Sequence, residues 1–208
     1  MKLYYSPGAC SLAPHIVFRE TGQAVDLERV DRKTKTTAGG ENFLDINPLG
    51  HVPTLRLDNG AYLTEAVAIM QYIADRKPES GLMPAAGNMD RYRVLEWLNF
   101  TATELHKQFT PLFKEGTPED YKPVAKASLE KAFGIIDRHL EGKTNLVGEN
   151  FTVADAYLFV VTNWSRFQQI DVAQWPNLKA FQERVRARPA VEEAMRAEGM
   201  IKTKPAAA

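Results

Sequence analysis

Residues 1–20 decide the fold of this chain, and they read MKLYYSPGACSLAPHIVFRE. Residues 2–5 form a short run of β-prone side chains, and the Ser-Pro-Gly sequence at residues 6–8 is a turn signal. From Ser11 onward the apolar residues recur at the spacing of one helix face. The stretch therefore predicts a strand, a tight turn and a helix. It puts the chain's one cysteine, Cys10, where that helix starts.

Strand-like and helix-like segments alternate to about residue 77. Three further segments are predicted strands: residues 25–30, 54–57 and 61–63. The first of them completes a βαβ unit with the opening strand and helix. Asp58-Asn59-Gly60 predicts a hairpin turn between the other two, and Thr64 can cap a helix that runs to about Lys77. The predicted order is βαβ, a loop with room for a short helix at residues 31–50, and ββα.

Beyond a Pro- and Gly-rich linker at residues 77–88 the strand signals end. Residues 89–115 have the spacing of one long amphipathic helix, which Pro111 should kink or end. A second helix is predicted over about residues 118–139.

The remaining sequence also predicts helices. Thr152 and Asp155 form a capping-box pattern ahead of a nearly all-apolar segment, which indicates a buried central helix. Pro176 and Pro189 stand at the first positions of two short helices, and a tail begins at Lys202. The fold class is therefore α/β plus all-α, with an N-terminal domain at residues 1–80 and a helical C-terminal domain at residues 87–201.

Composition limits the classes of partner. The chain has 208 residues, with 26 Lys+Arg and 26 Asp+Glu, so charge gives no reason to expect a nucleic acid or a membrane. No apolar run approaches the ~18 residues of a membrane span. We expect no signal peptide, because turn residues interrupt the apolar start. A single cysteine cannot form an internal disulfide, which favours the cytosol.

Cys10 is the first candidate for chemistry. Helix N-termini carry unpaired N–H groups and partial positive charge, which lower a cysteine pKa. The alternative is an inert, buried cysteine that packs as a small apolar side chain. Ala13 occupies the place of the second cysteine in a Cys-x-x-Cys motif, so any redox cycle would take its second thiol from a small molecule. The sequence leaves both interpretations open.

Two further segments fit a peptide-like ligand. Pro53 is either a strand-edge marker or a cis-proline that exposes the backbone of Val52. Glu65 and Ala66 stand at a helix start, where the helix N-terminus can bind a carboxylate and Glu65 can accept hydrogen bonds from an ammonium group. Ordinary acidic capping explains the second pattern equally well.

Polar residues also form a stripe on the long predicted helix. Asn99, Thr103 and His106 are spaced four and three apart, so they share one face. This face either lines a site or is a solvated surface with an incidental histidine. The sequence has no histidine pair at metal-ligand spacing on a helix, and no P-loop, G-x-S-x-G or dinucleotide fingerprint.

Together these residues resemble the bacterial beta class of glutathione transferases, over essentially the whole chain. Five segments carry the resemblance at the family spacing: MKLYYSPGACSLAPHIVFRE, NPLGHVPTL, LTEAVAIMQYIAD, EWLNFTATELHKQFTPLF and FTVADAYLF. The resemblance implies a thioredoxin-like N-terminal domain, an all-helical C-terminal domain and a homodimer. It also implies a cytoplasmic detoxification enzyme that uses glutathione as co-substrate and has no cofactor and no metal.

The resemblance assigns roles to matching residues of the first domain. Cys10 contacts the glutathione sulfur and can form a mixed disulfide with it. Lys35 lies near the glycyl carboxylate, and Val52 pairs through its backbone with the cysteinyl part. Pro53 is the cis-proline, and Glu65 holds the γ-glutamyl amino group.

Roles on the long helix follow in the same way. The residues implied to line the site are Asn99, Thr103, Glu104, Leu105 and His106, and His106 is implied to be catalytic with Cys10. Ala66 stands where many relatives have Ser, and the missing hydroxyl should weaken glutathione binding by about 0.5–1.5 kcal/mol although the backbone N–H remains. Tyr4, Tyr5 and Ser11 are reserve hydroxyl donors to the sulfur.

The function that follows is conjugation of the glutathione thiolate to a small hydrophobic electrophile. Two alternatives stay open. One is glutathione-dependent thiol–disulfide exchange or reduction, including reductive dehalogenation, through Cys10. The other is a non-catalytic ligand-binding protein, with aromatic residues such as Trp97, Phe109, Phe113 and Trp164 forming the cleft. No motif identifies the electrophile.

Overall fold

The computed structural model describes residues 1–202, in which four strands form one mixed sheet. The strands are β1 (Lys2–Tyr5), β2 (Asp26–Arg29), β3 (Thr54–Arg56) and β4 (Tyr62–Thr64), in the spatial order β2-β1-β3-β4. β1 is parallel to β2 and antiparallel to β3, and β4 is antiparallel to β3. Leu3 lies between Leu27 and Leu55 in the register, and both Leu3 and Leu55 are fully buried.

The described residues form nine α-helices. They are α1 (Leu12–Thr21), α2 (Phe43–Ile46), α3 (Ala66–Asp75), α4 (Met89–Phe100), α5 (Lys107–Phe113), α6 (Tyr121–His139), α7 (Val153–Thr162), α8 (Pro176–Arg186) and α9 (Pro189–Ala197). A π-helical segment, Thr101–His106, joins α4 to α5. Short 3-10 helices span Pro78–Ser80, Asn163–Phe167 and Val172–Gln174.

Contacts divide the described chain into two compact units. The first contains residues 1–80 together with 187–202, and the second contains residues 81–186. The predicted domain ranges, 1–80 and 87–201, put α9 in the second domain, whereas α9 packs against α1 in the first unit. An amphipathic sequence shows that a helix needs an apolar partner but does not say which one. The boundaries of the folding domains stay predictions.

The first unit has the predicted βαβ-ββα order, which is the thioredoxin-like arrangement. Gly22 directly follows the last residue of α1, and its φ of 64° is the left-handed conformation that lets a helix stop. The turn at Asp58-Asn59-Gly60 joins β3 to β4, as predicted. α1 and α3 pack against each other beside the sheet.

The second unit is built around α7, in which every residue is buried. α7 packs against α4, α8 and the π-helical segment. The predicted capping box is present, because Asp155 Oδ2 accepts hydrogen bonds from the Thr152 N–H and the Thr152 hydroxyl, each at 2.8 Å. Pro176 and Pro189 begin α8 and α9, which confirms both predictions.

Two helix predictions need correction. Thr64 does not cap α3, because it pairs with Thr54 as the last residue of β4, and Glu65 takes the N-cap position. The helix expected over residues 89–115 consists of α4, the π-helical segment and α5 in succession. Pro111 lies inside α5, which ends two residues later at Phe113.

Within residues 1–202, no helix combines the length and the apolar character that crossing a bilayer requires. Most of the tail predicted from Lys202 onward lies outside the described residues.

Candidate functional site

A closed turn between β1 and α1 holds Cys10. The Ala9 N–H donates to the Ser6 carbonyl at 3.1 Å. The Ser11 hydroxyl accepts from the Ser6 N–H at 3.1 Å and donates to the Ser6 carbonyl at 3.2 Å. Ser11 is fully buried, so this reserve donor is used to hold the turn together.

A buried carboxylate from the end of α9 anchors the same turn. Glu198 Oε2 accepts from the Gly8 N–H at 2.9 Å, and Glu198 Oε1 lies 2.9 Å from Nδ1 of His15 in α1. The side chains of His15 and Glu198 are fully buried. Their partnership spans 183 residues of sequence, and no local pattern could have predicted it.

Cys10 itself is a buried thiol with 9% of its surface exposed. Its Sγ donates to the Val52 carbonyl at 3.2 Å. Burial raises the pKa of Cys10 to about 12, although the charge of Arg32 and the Ser11 N–H act in the opposite direction. Of the two interpretations left open by the sequence, the structure favours the buried cysteine, because loss of hydration outweighs the N–H groups at the helix start and the cation, which both act to lower the pKa of this thiol.

Val52 and Pro53 lie beside Cys10, as the resemblance implies, and their peptide bond is cis. Asn47 fixes the residues on either side of Val52 and Pro53, because its Nδ2 donates to the His51 carbonyl at 2.9 Å and to Thr54 Oγ1 at 3.1 Å. The polar backbone of Val52 is thus presented in a fixed position next to the cysteine.

Lys35 lies across the loop from Gly50. Its Nζ donates to the Gly50 carbonyl at 2.9 Å. Lys35 has a φ of 56° and Gly50 a φ of 61°, both in the left-handed region. A methyl group on Gly50 would lie 3.0 Å from Leu44 Cδ2 and 3.2 Å from Lys35 Cε. Glycine at position 50 therefore leaves the space that the lysine side chain occupies.

Glu65 adopts an unusual backbone conformation at the start of α3. Its φ is 69°, although it is not glycine, and such a conformation costs about 1–3 kcal/mol unless its surroundings hold it. Its side chain is exposed and makes no capping hydrogen bond to α3. The acidic-capping interpretation is thus wrong for Glu65. Ala66, the first residue of α3, is buried.

The predicted stripe of the long helix is divided by the π-helical segment. Asn99 and Thr103 are exposed, and the Thr103 hydroxyl donates to the Asn99 carbonyl and to Glu104 Oε1, each at 3.1 Å. Leu105 is fully buried. The single face expected from α-helical spacing is therefore not maintained through this segment, because a π turn contains more residues than an α turn.

His106 ends the π-helical segment and is half-buried. Its Nδ1 lies 2.7 Å from the hydroxyl oxygen of Tyr157 in α7. The indole ring of Trp164 meets the imidazole edge-on, with ring centroids 5.0 Å apart. His106 was predicted from the sequence, whereas Tyr157 was missed, because its place in a nearly all-apolar helix is typical of ordinary core.

The other reserve donors have structural surroundings. Tyr4 is almost fully buried against Phe43, with ring centroids 5.6 Å apart, and burial raises its pKa to about 12. Tyr5 is half-buried and its ring lies 6.4 Å from that of His15. Arg32, whose charge acts on Cys10, was also missed, since an exposed arginine in a polar loop gives no sequence signal.

Across the described ranges, no group of three or more His, Cys, Asp or Glu side chains could hold a metal ion.

Comparison with known proteins identifies both units. The family model described as Glutathione S-transferase, N-terminal domain, matches residues 8–76, and the one described as Glutathione S-transferase, C-terminal domain, matches residues 100–189. Glutathione S-transferase GstA of Escherichia coli O157:H7 is 46% identical over 200 residues, which cover 96% of this chain and all of the relative.

Two solved structures are similar over nearly the whole length. One is the bacterial beta class glutathione S-transferase of Sphingomonas chungbukensis, with a TM-score of 0.94 and 46% identity over 97% of this chain and 100% of its own. The other is a sphingomonad glutathione S-transferase complexed with glutathione, with a TM-score of 0.93, 47% identity and the same two coverages.

A thioredoxin-like unit followed by a helical unit, with a cysteine turn beside the backbone of Val52, defines the glutathione transferase fold. The chain belongs to the glutathione S-transferase family. The resemblance to the bacterial beta class is confirmed, and the chain is an enzyme that uses glutathione as its co-substrate.

Proposed function

We propose that this transferase binds glutathione along Val52 and Glu65 and joins the glutathione sulfur to small hydrophobic electrophiles. The observation that carries the proposal is the fixed backbone of Val52 directly beside Cys10, in a chain similar over its whole length to a transferase solved with glutathione. An extended tripeptide can pair with such a fixed backbone segment as a strand pairs with a sheet edge.

The ends of the tripeptide are held by charge in this proposal. The exposed carboxylate of Glu65 accepts hydrogen bonds from the γ-glutamyl ammonium group, and the N-terminus of α3 at Ala66 receives the neighbouring carboxylate. The Lys35 ammonium group, already placed at Gly50, neutralises the glycyl carboxylate. These three contacts would fix both ends while Val52 fixes the middle.

The catalytic requirement is a glutathione thiolate. A free thiol is only a few per cent ionised at neutral pH, so stabilising the thiolate is the main contribution the enzyme can make. We assign this to His106 as a hydrogen-bond donor and to the N–H groups at the start of α1. Asn99, Thr103, Glu104 and Leu105 keep the supporting roles that the resemblance implies.

We also propose that Cys10 can form a mixed disulfide with glutathione. Its thiolate would attack glutathione disulfide, forming one S–S bond, breaking another and releasing a glutathione thiolate. The raised pKa of Cys10 makes this reaction slow at neutral pH, because only the thiolate attacks. That observation favours conjugation over thiol–disulfide exchange as the main activity.

The setting of the enzyme completes the proposal. We propose that the enzyme is a homodimer that detoxifies foreign electrophiles, as the family resemblance implies. We place it in the cytoplasm in this proposal, since reduced glutathione is a cytosolic thiol and Cys10 is a free cysteine.

Calorimetric titration with glutathione tests the binding site. Glu65→Gln removes one charge-assisted interaction of about 1.5–3 kcal/mol, so glutathione affinity should fall by about tenfold to a hundredfold. Glu79→Gln is the matched control, because Glu79 is an exposed acid of the same unit whose carboxylate lies 3.4 Å from Lys77 Nζ. Equal affinities for the wild type and both variants would contradict the proposed role of Glu65.

A substrate panel of aryl halides, epoxides and mixed disulfides then separates the functions. Cys10→Ala should keep conjugation of the aryl halides or epoxides and lose exchange with the mixed disulfides. Exchange at the wild-type rate in Cys10→Ala would exclude a role for this thiol. Glutathione binding without turnover of any electrophile would instead favour a ligand-binding protein.

A further inference from the structure

The π-helical segment Thr101–His106 contains a buried polar group that lowers the stability of the fold. Thr101 is fully buried, and its hydroxyl has no hydrogen-bond partner among residues 1–202. A buried hydroxyl without a partner is unfavourable by about 1–3 kcal/mol. π-helical turns of this kind are rare and occur frequently at functional sites.

The π-helical segment changes the direction of its last residue, His106. Asn99 and Thr103 make hydrogen bonds only a turn away along their own helix, whereas His106 reaches α7, 51 residues further along the chain. The wider turn thus separates His106 from the face it would share with Asn99 and Thr103 in a regular α-helix. It directs the imidazole to Tyr157.

Tyr157 is well placed to hold that imidazole. It is 2% exposed and lies in α7, the helix whose residues are all buried and whose start is fixed by the Asp155 capping box. The rings of Tyr157 and His106 are nearly perpendicular, at 79°, with centroids 6.0 Å apart, and Trp164 packs against His106 as well. One short hydrogen bond and two edge contacts therefore restrict rotation of the imidazole ring.

We propose that Tyr157 is a positioning residue that sets the orientation and the tautomer of His106. The Tyr157 hydroxyl oxygen and Nδ1 of His106 lie 2.7 Å apart, and in this proposal the hydroxyl donates and Nδ1 of the neutral imidazole accepts. A neutral imidazole that accepts at Nδ1 carries its proton on Nε2. His106 is thereby fixed as an Nε2–H donor, which is the form needed to stabilise a thiolate. The inference rests on the proposed function for that last step only.

Nitrogen-edited NMR of the His106 side chain tests the tautomer without any substrate. We expect a single Nε2–H form in the wild type and a mixture of both tautomers in Tyr157→Phe. Tyr121→Phe is the matched control, because Tyr121 is 47% exposed at the start of α6. An unchanged Nε2–H signal in Tyr157→Phe would overturn the proposal, whatever the activity of the variant.

Kinetics test whether Tyr157 acts through His106. Tyr157→Phe should lower kcat/KM by about fivefold to tenfold, the size of one lost hydrogen bond, and shift the midpoint of the pH profile. The KM for glutathione should change less than kcat. In the His106→Gln background, where the amide keeps a donor near the position of Nε2, Tyr157→Phe should lower kcat/KM by less than twofold.

Equal losses from Tyr157→Phe in both backgrounds would show that Tyr157 merely supports the core and would overturn its positioning role. Thermal unfolding of each variant checks that the comparison is made on folded protein. Full activity of His106→Ala, which has no donor at this position, would remove His106 from the proposed mechanism, while the NMR result still decides whether Tyr157 sets the tautomer.

Discussion

Replacing Asp155 by Ala should destabilise the protein strongly. The carboxylate accepts three hydrogen bonds of 2.8 Å: Oδ1 from the Leu146 N–H, and Oδ2 from the N–H and the hydroxyl of Thr152. All three lie in buried surroundings. Removing the acceptor leaves three donors unsatisfied, at about 1–3 kcal/mol each, and we expect a net loss of about 4 kcal/mol.

Urea and thermal unfolding at one fixed protein concentration measure this loss. A decrease of about 4 kcal/mol corresponds to roughly 10 °C in Tm for a chain of this length. Asp171→Ala is the control: its carboxylate also caps a short helix, accepting from the Ala173 N–H at 2.9 Å, but it is exposed. The control should lose about 1 kcal/mol. Equal losses for the two variants would refute the argument from burial.

The effect of Asp155 should also depend on pH. Burial raises the pKa of Asp155 to about 6, above the value of about 3.9 for an unfolded chain. The folded state therefore binds more protons than the unfolded state between these pH values, and the contribution of this carboxyl decreases as the pH rises from about 4 to 6. The loss in Asp155→Ala should thus be larger at pH 5 than at pH 7, by about 1 kcal/mol. A larger loss at pH 7 would show that the sign is wrong.

Two further predictions concern the first unit. Iodoacetamide should alkylate Cys10 more than a hundredfold more slowly than free glutathione at pH 8, with a rate that still rises beyond pH 10, because burial raises the pKa of Cys10 to about 12; a plateau below pH 8 would contradict this. Gly50→Ala should weaken glutathione binding severalfold in calorimetry, because the added methyl would lie 3.2 Å from Lys35 Cε. Gly60→Ala is its control, since Gly60 also has a positive φ of 86° but nothing within 4 Å; equal effects would exclude displacement of Lys35.

Much of the fold was predictable because local chemistry specifies it. The hairpin at Asp58-Asn59-Gly60 and the capping box at Thr152 and Asp155 were found as predicted. In each case the deciding interactions lie within a few residues of each other along the chain. Pairing of the candidate Cys10 with Val52 came from the family resemblance, since a contact over 42 residues has no local signal.

What the sequence left open or predicted wrongly has a common physical origin. Helix-terminal N–H groups at Cys10 are a local feature, but the pKa of its thiol depends on how much water the folded chain excludes. Likewise the spacing of Asn99, Thr103 and His106 assumes a regular α-helix, whereas packing between helices admits a π-helical segment.

The amino-acid sequence by itself determined where most of the strands, turns and helices lie and which side chains are chemically able to bind glutathione. These depend on hydrogen bonds and apolar spacing within single segments. Only the tertiary structure decided that Cys10 is buried, that Glu198 anchors its turn and that Tyr157 meets His106. Those three outcomes require contacts between distant segments, and the free energy of such contacts depends on burial, which a linear pattern does not contain.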